Sequence, residues 1–172
     1  MRLILICDSR QQAGKHKNID AYCKRMGIEQ VTQCLNTGDY MEGERDENGN
    51  VHPVGKISVD TKFSIMELSK DIMSRDHERF RKECIRAQEQ GIQLVILIEE
   101  EPPNGKIAEW EVPKWETSDR FHRKGDPMTL VSPSALRKAM LTMWQKYGVI
   151  FEFCSRQKSP ARVIRILKGE LR

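Results

Sequence analysis

No apolar run in the sequence approaches the roughly 20 residues that a membrane-spanning helix needs. The longest, Leu3–Cys7 and Leu94–Ile98, are strand-sized, which argues against a membrane protein. Met1–Cys7 ends in Asp8 and lacks a small-residue cleavage site, so it reads as a first buried strand and not as a signal peptide. Paired cysteines are missing too. Cys7, Cys23, Cys34, Cys84 and Cys154 are widely spaced and contain no CxxC. That spacing argues against a zinc site and suits reduced thiols in a cytoplasmic protein. No GxGxxG and no Gly-x4-Gly-Lys-Ser/Thr loop is present, which weakens any reading as a nucleotide-binding doubly wound sheet. Internal repeats and low-complexity tracts are absent as well.

What is present is a globular composition. The chain has 172 residues, 38% of them hydrophobic, enough for one domain with a real core. Its 29 Lys+Arg against 25 Asp+Glu leave a net charge of +4. Such a mixed, mildly basic balance permits a nucleic-acid partner without requiring one.

Strand and helix signals alternate along the chain. Leu3–Cys7 and Leu94–Ile98 lack period-2 alternation, as expected of strands covered on both faces. Lys56–Lys62 does alternate, with Ser58, Asp60 and Lys62 on one face and Ile57, Val59 and Thr61 on the other. Val31–Leu35 is a weaker strand signal, and Val149–Phe153 is expected as a late strand. Helices are expected over Asn18–Met26, Phe63–Gln90 (with a candidate break at Arg75-Asp76-His77), Pro133–Tyr147 and Ser159 to about Lys168. Gly27, Gly91 and Gly148 serve as stops. Met41–Gly55 carries turn residues and reads as a loop. Glu101–Asp126, with Pro102-Pro103, Pro113, Trp110, Trp115 and Phe121, reads as a loop insertion. Its aromatics suit either burial or stacking on unpaired bases. The alternation predicts one α/β domain over residues 1–172 with a central mixed sheet flanked by helices.

Acids stand where the strands end or bend: Asp8 after the first strand, Asp39 after the second, and Asp60 two residues before Lys62. Two carboxylates 4 Å apart repel by about 4 kcal/mol at an effective dielectric near 20. A hard divalent cation removes that repulsion and favours oxygen ligands. It can also activate water and neutralise a phosphoryl oxygen, while a nearby lysine steadies developing charge. Asp-x-Lys alone usually marks a solvated strand face, and Asp8 alone equally suits a helix or turn cap.

The ordered segments shift the weight between these readings. Cys7-Asp8-Ser9-Arg10, Thr37-Gly38-Asp39-Tyr40 and Val59-Asp60-Thr61-Lys62 resemble, in sequence, the Asp-x-Arg-Glu, Gly-Asp-Tyr and Glu-Arg-Lys motifs of the XPF-type nuclease domain. That is the excision-repair family of structure-specific endonucleases within the PD-(D/E)XK superfamily. Arg79–Cys84 resembles the family's following basic helix, Leu94–Glu99 its next strand, and Phe153–Ala161 its closing strand and helix. The resemblance implies a restriction-endonuclease-like fold and a metal-dependent endodeoxyribonuclease acting in DNA repair or recombination. The alternative of the same fold is a non-catalytic DNA-binding or dimer-scaffold module. It further implies that Asp39, Asp60 and the Thr61 carbonyl hold Mg²⁺ or Mn²⁺, with Lys62 against the attacking water and Asp8 adding to the acidic cluster. Arg10 and Arg79 become candidate phosphate contacts. DNA is the implied partner, with a second copy or another protein supplying grip on it.

The chain departs from the family pattern at several places. Asp60-Thr61-Lys62 replaces Glu-Arg-Lys, Gln11 replaces a glutamate, and Met66 stands where the family places an acid, leaving Glu67's part open. On one helix, Arg75, Arg79, Lys82 and Arg86 would share a face. That face suits phosphate tracking or simple solvation.

Overall fold

The computed structural model describes residues 3–11, 14, 17–73, 77–101 and 133–171. Strands β1 (Ile4–Asp8), β2 (Glu29–Gln33), β3 (Tyr40–Arg45), β4 (Val51–Lys62), β5 (Gln93–Ile98) and β6 (Ile150–Phe153) form one mixed sheet in the order β2–β1–β3–β4–β5–β6. The β1–β2, β4–β5 and β5–β6 pairs are parallel; β3 runs antiparallel to both β1 and β4. The helices are α1 (Lys17–Met26), α2 (Ile65–Met73), α3 (His77–Glu89), α4 (Pro133–Tyr147) and α5 (Ser159–Leu167). This is the mixed sheet flanked by helices that the sequence predicts.

Strand β5 shows why its apolar run lacks alternation. Leu94, Ile96 and Ile98 pack with Leu68 and Ile72 of α2, Phe80 and Cys84 of α3, and Leu136 and Met140 of α4. Val95 and Leu97 point the other way, onto Ile19 and Cys23 of α1 and Val163 and Ile166 of α5. Both faces are covered, so both sets must be apolar. On α4, Leu136, Met140 and Met143 are buried, whereas Trp144 stays 52% exposed.

The stretch Met41–Gly55, expected as a loop, is a correction. It is a hairpin in which β3 and an extended β4 pair from Tyr40–Val59 out to Arg45–Val51. Only the tip turns, where the Asp46 carboxylate accepts the N–H groups of Asn48 and Asn50 at 2.9 and 2.8 Å. Glu44, Arg45, His52, Pro53 and Val54 on this ribbon are exposed. Its pairing rests on backbone hydrogen bonds, which leave no apolar alternation to read. The second strand lies at Glu29–Gln33, two residues before the expected start.

One buried ion pair joins β6 to α5. Glu152 is 0% exposed and accepts Arg162 Nε at 2.7 Å and Nη2 at 2.8 Å. The five cysteine thiols are free and all but Cys34 are buried. Burial pushes the thiols of Cys7, Cys84 and Cys154 up to about 12. The expected insertion at 101–126, with Trp110, Trp115 and Phe121, lies outside the described residues except for Glu101. Among the described residues no helix is long and apolar enough to cross a membrane.

Candidate active site

Strand register assembles the acids. Cys7 of β1 pairs with Tyr40 of β3, and Tyr40 pairs with Val59 of β4. One residue further along, the same row reads Asp8, Asp39 and Asp60. The Asp8 N–H donates to the Asp39 carbonyl at 2.8 Å, and the Asp39 N–H donates to the Val59 carbonyl at 2.8 Å. β1 and β4 end at this edge, and antiparallel β3 begins there. Asp8, Asp39 and Asp60 are all buried, at 6%, 8% and 4% exposure.

Gly38 explains the Gly-Asp-Tyr spacing. Its φ is +66°, and a Cβ there would lie 2.2 Å from Ser58 Oγ and 3.0 Å from the Val59 carbonyl oxygen. Only glycine lets the turn approach β4 so closely. Glu83 of α3 accepts the Gly38 N–H at 2.8 Å, and Ser58 donates its hydroxyl to the Thr37 carbonyl at 2.7 Å. Asp39 is therefore delivered by a pinned turn.

Each carboxylate has its own partner. Asp8 accepts the Leu35 N–H at 3.0 Å and Arg10 Nε at 3.1 Å, so Arg10 is engaged with Asp8 before any phosphate. Asp39 Oδ2 accepts both the N–H and the hydroxyl of Thr61, at 2.8 and 2.6 Å. Asp60 meets Lys62 Nζ at 2.9 Å, and the same ammonium meets Asp71 of α2 at 2.7 Å. Phe80 closes the lysine's surroundings, its ring centroid 5.6 Å from Nζ.

These contacts set the protonation states. Burial raises the Asp60 carboxyl, Lys62 opposes that, and the charges of Asp39 and Glu83 add to it; the result is about 7. Burial would lower the Lys62 ammonium, but Asp60 and Asp71 outweigh it, so Lys62 is raised and stays charged. One lysine shared between acids leaves the edge with excess negative charge.

Asp71 is the site residue that sequence reading misses. It lies nine positions after Lys62, outside any matched motif. Its one signal is an acid set beside buried Leu68 and Ile72 on an amphipathic helix. Glu67 has a different place: it accepts the Phe63 N–H at 2.6 Å while its own N–H reaches Ser64 Oγ at 3.3 Å, capping the start of α2. On α3, Arg79, Lys82 and Arg86 are exposed. Arg79 lies 3.9 Å from Asp71, and Arg86 donates to the Asn36 carbonyl at 3.3 Å. Arg75 lies outside the described residues. Helix α3, His77–Glu89, carries Arg79, Lys82 and Arg86.

The donors at this edge are oxygens, as a hard dication requires. Among the described residues, however, no three His, Cys, Asp or Glu side chains are gathered closely enough to hold an ion as they stand. Asp39 and Asp60 supply two carboxylates side by side in the row, and the raised Asp60 marks negative charge that a cation would relieve.

Comparison with known proteins fixes the class. A family model described as the ERCC4 domain matches residues 7–167, and the chain belongs to that family; its fold is that of an XPF-type nuclease domain. The structure resembles XPF from Aeropyrum pernix at a TM-score of 0.61 with 14% identity, covering 96% of this chain and 64% of that one. XPF from Aeropyrum pernix in complex with DNA matches at 0.60 with 14% identity, covering 98% and 64%. The chain thus spans 64% of the length of these relatives. No curated protein sequence matches it.

Proposed function

We propose that the chain is a Mg²⁺- or Mn²⁺-dependent DNA endonuclease that hydrolyses phosphodiester bonds, working as one nuclease domain over residues 1–172. The observation that carries this reading is the row Asp8–Asp39–Asp60 at one sheet edge, with the charged Lys62 2.9 Å from Asp60. Asp39 and Asp60 would hold the ion, with Asp8, next to Asp39 in the row, adding negative potential. When bound, the ion supplies Lewis acidity at a phosphoryl oxygen and a more acidic water.

The chain's own residues do the rest. Lys62 is protonated and so is not a base. It places positive charge where negative charge grows on the phosphoryl oxygens and the attacking oxygen. Asp71 holds the same ammonium at 2.7 Å. Gly38, Ser58 and Glu83 hold Asp39 in register, so that little reorganisation is left for the reaction itself. Arg79, Lys82 and Arg86 offer sequence-independent phosphate contacts. Arg10 joins them only by leaving Asp8. A second copy or a partner protein would supply further grip on the DNA.

The test is cleavage of branched, nicked and single-stranded DNA with Mg²⁺ or Mn²⁺. Wild type should cut and Asp60→Ala should not; equal cutting by both would remove this site assignment.

A second reading, a non-catalytic DNA-binding or scaffold module, is favoured by one observation: every carboxylate in the row already has a partner within the chain. Calorimetric titration with Mn²⁺ separates the two readings. Heat that disappears in Asp39→Ala and Asp60→Ala supports the nuclease, whereas tight DNA binding with no heat at millimolar metal supports the module.

A further inference from the structure

Phe63 follows Lys62 directly, and its side chain is a large apolar group left 46% exposed beside a charged site. The Arg156 guanidinium lies over its ring, 3.6 Å from the centroid. Both partners are anchored. The Phe63 N–H is held by Glu67 at 2.6 Å, and the Lys62 carbonyl accepts the Glu99 N–H at 2.7 Å. On the Arg156 side, the Cys154 N–H donates to the Ile98 carbonyl at 3.0 Å, and Ser159 Oγ meets Glu99 at 2.5 Å. The last residue of β5 and the residue after it thus fix the backbone under both the ring and the guanidinium. Lys62 meets Asp71 of α2 and Phe80 of α3, whereas Phe63, just past the end of β4, meets Arg156 in the segment between β6 and α5. The stacked pair therefore sits one residue along the chain from Lys62, at the end of β4 that carries Asp60.

We propose that Phe63 and Arg156 form a binding element for an unpaired nucleotide next to the scissile phosphate. This deepens the nuclease reading and rests on it. A ring and a guanidinium stacked on each other present flat surface to a base, and the guanidinium N–H groups, which take no partner among the described residues, can meet the phosphate beside it. Bases stacked inside a continuous duplex cannot reach such a surface. A strand that leaves a duplex at a branch, or is single throughout, can. The element selects substrates with an unpaired nucleotide at the site, and it does so without reading base identity, because every base has a π-face.

The experiment measures binding apart from cleavage. Fluorescence anisotropy in EDTA compares a labelled single-stranded oligonucleotide with a blunt duplex of the same length. The proteins are wild type, Phe63→Ala, Phe63→Tyr and Arg156→Ala, each checked for an unchanged melting temperature. Phe63→Ala should weaken single-strand binding by about tenfold and duplex binding by less than about twofold. Phe63→Tyr should restore most of the loss, and Arg156→Ala should follow Phe63→Ala.

Equal losses on both DNAs, no loss on the single strand, or no rescue by tyrosine would overturn the proposal. The nuclease reading fails separately. Selective single-strand loss in a protein that never cuts leaves the binding element standing and the nuclease fallen. Cutting of branched and duplex DNA at one rate, indifferent to Phe63→Ala, does the reverse.

Discussion

Asp60 concentrates the electrostatics of the site. It binds its proton more tightly in the folded chain than in the unfolded one, because burial and the nearby Asp39 and Glu83 charges outweigh Lys62. Its contribution to stability is complete below the ordinary carboxylate value and fades as pH rises through about 7. Without metal, the protein should therefore melt lower at pH 8 than at pH 5. Asp60→Asn should remove much of that difference, since Lys62 keeps Asp71 as a partner. Each kcal/mol recovered would appear as about 2–4 °C in thermal melts at the two pH values; a variant less stable than wild type at pH 8 would contradict the assignment. Lys62→Ala should lower the cleavage rate by about 10²–10³-fold with DNA affinity nearly unchanged, as read by single-turnover kinetics. Gly38→Ala should destabilise the fold by about 2–3 kcal/mol, because its Cβ would meet Ser58 Oγ at 2.2 Å; urea unfolding measures this.

At the level of elements, the same strands carry fold and site. β4 is long enough to pair with β3 in a solvated ribbon at one end and to deliver Asp60 and Lys62 between buried neighbours at the other. The pairing of β6 with α5 depends on Glu152 and Arg162, both buried. Removing one partner alone, as in Arg162→Met, should cost about 3–5 kcal/mol, and replacing both with apolar residues should cost less; a double-mutant cycle by chemical denaturation reads the difference. Helix α3 contributes charge of another kind. If Arg79, Lys82 and Arg86 track phosphates, replacing any one with Ala should lower the slope of log affinity against log salt by about 1, equally for different DNA sequences.

Across the whole molecule, the sheet edge gathers residues from β1, the turn before β3, β4 and α2, which lie between Asp8 and Asp71 in the sequence. A dication bound there would stabilise the folded state by mass action. Millimolar Mn²⁺ should raise the melting temperature more at pH 8 than at pH 5, where Asp60 still holds its proton, and the rise should vanish in Asp39→Ala. A rise that persists in that variant would place the ion elsewhere.

The buried strands and helix ends were legible in the chain, because local pattern alone dictates them. Leu94–Ile98 can only be satisfied between two covered faces, and Gly27, Gly91 and Gly148 adopt the positive φ that ends a helix. Asp39, Asp60 and Lys62 were legible through their short motifs, and their meeting follows from strand register. Asp71, the Glu152–Arg162 pair and the Phe63–Arg156 stack left no such trace. Each joins groups that are distant in sequence or set outside any motif, and only packing brings them within reach. The outer hairpin was hidden for the opposite reason: its pairing is made by the backbone, which is the same for every side chain. What tertiary structure alone decided is how the charges balance, since burial and neighbours, not residue type, keep Lys62 charged and lift Asp60.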